Sequence, residues 1–438
     1  MFQYYIKLAW LSIKKTPVLT ALMVLAIGVG IASCISTYTI FSLISHNPLA
    51  HKNDSLYAIQ LDSWKKNEAF FNFNSVPTML AFKDAKTLYQ SRPVDDVLLM
   101  MKAGVTASPP DDLRNKITEK TRLVTNEFFS MFDVRFIYGK PWDDNSDDQA
   151  EEIIVISEGL NARFFNGEDS VGQVILIEKV PFTIVGVVSD SWRLFPSVYD
   201  MNNTAYETPP QLYIPFFNLE KYDYQNWGNT QGWDEDEVIN TRADFLQSNI
   251  TWVQMWASLE NTSDQQLFRS YLESFVKQEN KIGRYQRPMN VLMNPPSEWL
   301  KIFGVVGSDA YVVLIMSFSF LLVCLVNSIV LLLAKFYRKA PEAGIRRALG
   351  ATQQAIFIQH LAEAFIVAFM GGMLVIVLSF FGIAGIAQLY QEYKGVASLN
   401  LDSLMTATVL VFVSTLVSGI LPAYKISRTE PARYLKTQ

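Results

Sequence analysis

Few side chains in this sequence could do covalent or metal chemistry, and their spacing excludes most of it. The three histidines, His46, His51 and His360, are too few and too dispersed to furnish a Ser-His-Asp nucleophile system. No G-x-x-x-x-G-K-[ST] phosphate loop occurs in the 438 residues. No cofactor is therefore expected on this chain, and any ATP and magnesium it works with are expected on another polypeptide. Two acidic runs, DDNSDD at 143–148 and DEDE at 234–237, invite a calcium reading. An EF-hand loop needs glycine at its sixth position and glutamate at its twelfth. Counting from Asp143 these are Asp148 and Ile154, so the runs read as solvated loops. His360 and Glu363 share a helical face, but no third or fourth ligand accompanies them, and no metal site is expected. Cys34 and Cys324 lie in apolar stretches and build no disulfide framework. The N-x-[ST] triplets at Asn202, Asn249 and Asn261 are near chance frequency and carry no weight.

What the sequence does concentrate is positive charge in one short polar stretch. Residues 334–350, AKFYRKAPEAGIRRALG, hold Lys335, Arg338, Lys339, Arg346 and Arg347 against the single acid Glu342. Pro341 suits a first helical turn, Glu342 favours the positive N-terminal end, and Gly350 suits a stop. Ile345 and Leu349, four apart, give this short helix one apolar stripe. Such a helix either grips lipid headgroups through its arginines or docks a cytoplasmic partner. Gln359 and Glu363 follow in the next apolar segment, where a carboxylate is costly and seldom idle. A polar contact tying the bend to neighbouring helices is expected there.

The elements that must position these residues are membrane helices. Residues 311–333 run 23 positions without a charge, and a bilayer core needs about 20. Residues 355–389 are almost as apolar. As one helix they would reach about 50 Å against a core of ~30 Å, so the segment must tilt, protrude or break. Gly371-Gly372 and Gly382/Gly385 are the candidate break points. Residues 17–44 form a third uncharged stretch, too long for a cleavable signal peptide and without an A-x-A site after it. Gly28-x-x-x-Ala32 within it permits close helix approach, and Gly371 and Gly372 are further packing candidates. Before it, residues 1–16 set Lys7, Lys14 and Lys15 among Phe2, Ile6, Trp10 and Ile13, the pattern of an interfacial amphipathic helix. Residues 404–421 supply a fourth span.

Charge then fixes the expected orientation. Basic excess at 1–16, 335–354 and 422–438 (the tail carries Lys425, Arg428, Arg433 and Lys436) places these segments in the cytoplasm. The loop 390–403, with Glu392, Lys394 and Asp402, shows no such excess and reads as external. The layout is a 1+3 arrangement: span one at 17–45, an external domain at 46–300, stalk and span two at 301–334, the bend at 335–354, span three at 355–389 and span four at 404–421. The external domain holds 23 basic and 36 acidic side chains, net −13, so the whole-chain −5 hides two opposite populations. Nothing in this balance suggests a nucleic-acid partner. Alternating runs predict strands at Leu56–Leu61, 97–101, 152–156, Val174–Ile177 and 182–188, with a helix near 78–89. That mixture predicts an α+β domain rather than a β-sandwich. The fold class is thus an α-helical membrane protein with four transmembrane helices and a large α+β extracytoplasmic domain.

The bend also carries a resemblance. EAGIRRALGAT, from Glu342, resembles the E-x-G-I-R-[RK]-A-L-G-A signature of MacB/FtsX-type ABC-transporter permeases, whose version forms a coupling helix seated on an ATPase. Gln359 and Glu363 match that family's Q-x-x-x-E. In the external domain, TNEFFSMFDVRFIYGKPW and ARFFNGEDSVGQVILIEKVPFTIVGVVSD are similar to stretches of its periplasmic core domain, with Gly139, Gly172 and Gly186 at its glycine positions. Residues 222–288 match least. In the tail, Pro422-Ala423, Pro431 and Leu435 follow the family ending, while Ile426 and Tyr434 replace two of its alanines.

The resemblance implies a permease subunit that lends motion rather than catalysis. ATP hydrolysis by a cytoplasmic ATPase dimer would move the bend through Glu342, Gly344, Ile345, Arg346, Arg347, Leu349 and Gly350. The first two spans would pass that motion to the periplasmic domain, in the bacterial inner membrane and among its lipids. It further implies a second permease copy, identical or a paralogue. If the chain serves efflux, a periplasmic adaptor and an outer-membrane channel are added. FtsX- or Lol-like mechanotransmission onto a periplasmic partner or lipoprotein is the alternative within the family. A membrane-bound periplasmic sensor is the rival from another class, but it calls for a cytoplasmic output domain where only about 17 residues follow the last span. A membrane-anchored enzyme lacks its catalytic constellation.

Overall fold

A computed structural model describes residues 2–66, 75–201, 205–232, 237–288, 291–390, 393, 396–399 and 401–428, with side chains from Lys7 onward. Phe2 and Ile6 as side chains, Asn202, the acidic residues 234–236, Glu392, Lys394, and Pro431, Arg433, Tyr434, Leu435 and Lys436 of the tail lie outside this description. The chain divides into two compact units, Met1–His46 with Val306–Gln438, and Asn47–Val305.

The first unit is helical. Four of its helices are long and apolar enough to cross a membrane, one before the large inserted unit and three after it. They begin with Pro17–Ser45, which follows the N-terminal helix Phe2–Lys15 at a joint where Pro17 starts the new helix. Ser308–Arg338, Gln353–Leu389 and Leu401–Ser427 complete the set. The third runs unbroken through Gly371-Gly372 and Gly382/Gly385, so its length of about 55 Å is taken up without a break at either site. Small residues let these helices touch. A Cβ on Gly28 would lie 2.9 Å from Leu374 Cδ2, and Ala32 is buried in the same helix. Gly371 faces Ile27 and Gly372 faces Val411. With little hydrophobic drive between helices in lipid, close backbone approach and dispersion hold such contacts. Ile27, Ile31, Ile35, Val367 and Val375 form the centre of this packing.

The second unit is built on one mixed sheet. Its strands are β1 Leu56–Leu61, β2 Leu80–Ala81, β3 Val97–Ser108, β4 Ile117–Val124, β5 Phe136–Gly139, β6 Ile153–Ser157, β7 Val174–Ile177, β8 Val180–Val188, β9 Leu212–Pro215, β10 Gln225–Asn226, β11 Thr251–Ser258 and β12 Val291–Asn294. The order is β12-β1-β11-β3-β4-β9-β6-β8-β5, with β4–β9 and β6–β8 parallel. Successive residues of β3 point to opposite faces, Leu99 and Met101 into one core and Leu98 and Met100 into another. Both faces are covered, which is why β3 reads as a continuous apolar run instead of an alternation. Helices Phe82–Gln90 and Thr262–Lys281 contribute Phe82, Leu88, Phe268 and Leu272 to the first core. The domain is α+β. The stretch 222–288, which matched least in sequence, contains β11, a central strand paired with β1 and β3.

Candidate functional site

The basic stretch folds as a bend between two long helices. Ser308–Arg338 ends at Lys339, and the short helix Ala340–Ala348 follows at once, with Pro341 in its first turn where no intrahelical N–H is needed. Gly350 stops it with φ +100°, a backbone that side-chain-bearing residues rarely adopt. That turn lets the Gly350 and Ala351 N–H groups donate to Arg347 O and Arg346 O, at 3.1 and 3.0 Å. Thr352 then caps the next helix, its Oγ1 accepting from the Ala355 N–H at 3.2 Å. Ala340, Ala343 and Gly344 turn inward, whereas Ile345 and Leu349 are 52% and 83% exposed.

Behind the bend sits a buried ion cluster centred on Glu363, about three turns into the third long helix. Lys335 Nζ lies 2.6 Å from Glu363 Oε1, and neither side chain is more than 1% exposed. Lys339 Nζ approaches the same oxygen at 3.4 Å. The Ser12 hydroxyl donates to Glu363 and accepts from Lys339. Lys335 also donates to Thr20 Oγ1 at 3.3 Å. A buried carboxylate is tolerable only when so paired, and here the pairing joins four helices through one residue. One turn nearer the bend, Arg346 donates to Gln359 Oε1 at 2.8 Å and to Glu342 Oε1 at 2.7 Å. Gln359 and Glu363 are thus both in contact with the basic stretch.

Sequence reasoning missed Ser12. The N-terminal helix buries Ala9, Ser12 and Ile13 and leaves Trp10 46% exposed. The available signal was two small residues three apart, Ala9 and Ser12, beside Ile13, a spacing that permits one face to pack against another helix. His360 is brought to the same region, 3% exposed and with its ring 4.4 Å from Phe336. Neither ring nitrogen has a hydrogen-bond partner among the described residues.

The sheet unit buries charge of its own. Asp200 is shared by Lys102 and Arg122, each at 2.6 Å, and Lys102 also meets Glu207 at 2.6 Å. In the run 143–148, Asp143 accepts from the Ser146 N–H and caps a short helix, while Asp147 points inward. Its Oδ1 accepts from the Trp142 indole N–H at 3.0 Å and its Oδ2 from the Asn126 N–H at 2.6 Å. Burial, against those hydrogen bonds and aided by the charge of Glu127, pushes the Asp147 carboxyl up to about 8. Burial likewise pushes Glu127 up to about 7. Glu237, the described member of the second run, accepts from the Asn249 N–H. His51 pairs with Asp133 at 2.8 Å. Among the described residues no group of three or more metal-type ligands converges.

Known proteins share this layout. A family model described as MacB-like periplasmic core domain matches residues 20–275, and one described as FtsX-like permease C-terminal matches residues 314–431. The chain is 22% identical over 443 residues to the macrolide export ATP-binding/permease protein MacB of Burkholderia cenocepacia, covering 97% of this chain and 56% of that protein. It therefore spans little more than half the length of that relative. It is 24% identical over 316 residues to the ABC transporter permease YvrN of Bacillus subtilis, covering 72% of this chain and 69% of that one. The crystal structure of the periplasmic region of MacB from Actinobacillus actinomycetemcomitans aligns at TM-score 0.35 and 13% identity, over 59% of this chain and 97% of that one.

Proposed function

The chain belongs to the MacB/FtsX-type family of ABC-transporter permeases, and we propose that its bend couples a cytoplasmic ATPase to movement of the sheet unit. Closure of two ATPase subunits on ATP pushes the helix Ala340–Ala348, and the ion cluster at Glu363 passes that displacement to the helices it joins. The first and second spans carry it to the periplasmic domain, which acts on a substrate there without a path for it through the bilayer. Both chain ends and the bend are cytoplasmic, and the transporter contains a second permease copy. Export is the favoured use, since the MacB of Burkholderia cenocepacia is named for macrolide export. An adaptor and an outer-membrane channel would complete such an export path.

The observation that carries this reading is the exposed stripe Ile345 and Leu349 on a helix whose opposite face is locked inward by Ala343 and Gly344. An apolar pair held out among arginines is a surface for a protein partner. The helix cannot yield to that partner alone, because Arg346 fastens it to Gln359. The test is retention of a phosphate-loop ATPase by the tagged chain, drawn from membranes of cells that express both. Arg346→Glu, Arg347→Glu, or a bulky residue at Gly344 is expected to release the ATPase or leave its hydrolysis unresponsive. Wild-type retention and turnover in all three variants would sink the proposal, as would labelling of Thr352→Cys from outside intact cells.

A further inference from the structure

Between the N-terminal helix and the bend lies a cavity of about 170 Å³ that the coupling reading leaves unused. At about 10–15 Å³ of such space per water it has room for a phosphate-sized group with part of its hydration shell. Lys15, Lys339 and Arg346 line it against one carboxylate, Glu342. Counting the residues just behind, four cations (with Lys335) face two acids (with Glu363). The cluster is therefore short of negative charge. His360 also lines the cavity, buried, with neither ring nitrogen satisfied among the described residues. A buried imidazole without a partner is costly, and a neutral one always carries one N–H to donate.

We propose that this cavity binds the headgroup of an anionic phospholipid, its phosphodiester oxygens taking hydrogen bonds from His360 and the ammonium and guanidinium groups of Lys15, Lys339 and Arg346. A lipid fits better than a dissolved anion because one wall is apolar. Leu8, Leu11 and Ile356 line it, and Leu11 and neighbouring Trp10 are 49% and 46% exposed. An amphipathic helix with exposed Trp, Leu and Lys side chains lies at headgroup depth, where an acyl chain leaves the phosphate along just such a wall. The site ties the N-terminal helix to the bend through a component of the membrane, so that lipid composition sets how firmly the bend is held. Binding rests on the membrane-spanning fold and on no ATPase, so it can stand or fall apart from the coupling proposal.

Native mass spectrometry of the chain purified in a neutral detergent tests it, with phosphatidylglycerol, phosphatidylcholine and inorganic phosphate as separate probes. One phosphatidylglycerol is expected to be retained with about tenfold preference over phosphatidylcholine, the scale of one to two surface cations. Lys15→Glu, at an exposed position, is expected to erase that preference. His360→Phe, which keeps a ring packed against Phe336 and removes the N–H, is expected to reduce it severalfold at an unchanged melting temperature. Equal retention of the two lipids overturns the proposal, and so does undiminished preference in both variants. Displacement of the lipid by millimolar inorganic phosphate would show a dissolved-anion site and overturn it equally.

Discussion

Each unit of this molecule buries a cluster in which one carboxylate is shared by two cations, and the two clusters are built on opposite principles. In the sheet, Lys102 and Arg122 are directly opposed on β3 and β4, like charges that would repel. Asp200 bridges them, yet each keeps a second hold, Lys102 on Glu207 and Arg122 on Gln254 and the Tyr199 carbonyl. The backbone ladder fixes both strands whatever the side chains do. At the foot of the helical unit there is no ladder. Among the described residues Glu363 is the one carboxylate that pairs with both Lys335 and Lys339, whose other holds are the uncharged hydroxyls of Thr20 and Ser12, and these contacts between helices are made by side chains. Redundant ions on a hydrogen-bonded frame make a rigid part. A single shared carboxylate between helices makes a joint.

The contrast breaks most visibly under paired substitutions. Glu363→Leu leaves Lys335 buried and uncompensated, with an expected cost of about 3–5 kcal/mol in the thermal unfolding of the helical unit. Glu363→Leu with Lys335→Leu is expected to recover most of that stability while leaving the bend uncoupled in ATP turnover. Asp200→Asn, by comparison, leaves every cation a partner and is expected to cost about 1–3 kcal/mol. Eight of the nine tryptophans lie between Trp64 and Trp299, so intrinsic fluorescence follows the sheet unit and separates the two effects. Equal losses from Glu363→Leu and Asp200→Asn would erase the distinction between joint and frame.

Proton linkage sharpens the same comparison at a smaller scale. Asp147 is held up to about 8 and Glu127 up to about 7, both chiefly by burial. Between an unfolded value of about 4 and these folded values the native sheet unit binds more protons than the unfolded chain. Its stability is therefore greatest on the acid side and falls as pH rises from about 4 to 8, by up to about 1.4 kcal/mol per pH unit for each group. Melting curves read by fluorescence are expected to shift down between pH 5.5 and 8.5. Asp147→Asn is expected to flatten that slope, with Trp142, which donates to Asp147, as the local reporter. A slope unchanged by the substitution would place the linkage elsewhere.

These features were unequally legible in the sequence. Charge-free runs announced the spans because lipid admits little else, and the strands at Leu56–Leu61 and Val174–Ile177 stood at the predicted residues. The apolar run predicts β3 only to residue 101, but the strand extends to Ser108, since polar Lys102 and Thr106 are carried by ladder and ion pairing and not by apolarity. β11 carries no strand signal of its own in the sequence. TWVQMWAS is buried at seven of eight positions on both faces, so it shows no period of two. At the bend, Glu363 was legible as a polar residue out of place in a span. Ser12, its partner 351 residues earlier, was not, because one hydroxyl in an amphipathic helix announces nothing until the helices meet.

The smallest structural effect is expected where the functional one is large. Leu349 is 83% exposed on the bend, and Leu113 is 62% exposed in the sheet unit. Substitution of either by Asp removes no buried contact, so each is expected to change stability by no more than about 0.5 kcal/mol. As tests of folding the two are equivalent. They differ in what the leucine is exposed for. If the bend is where an ATPase sits, Leu349→Asp desolvates a carboxylate against the partner's apolar surface and is expected to weaken retention of the ATPase at least tenfold. Leu113→Asp is expected to leave retention at the wild-type level. Co-purification of wild type and both variants from one membrane preparation measures the difference directly. Retention that survives Leu349→Asp would mean that the arginines alone hold the partner, and that the apolar stripe was exposed to lipid instead.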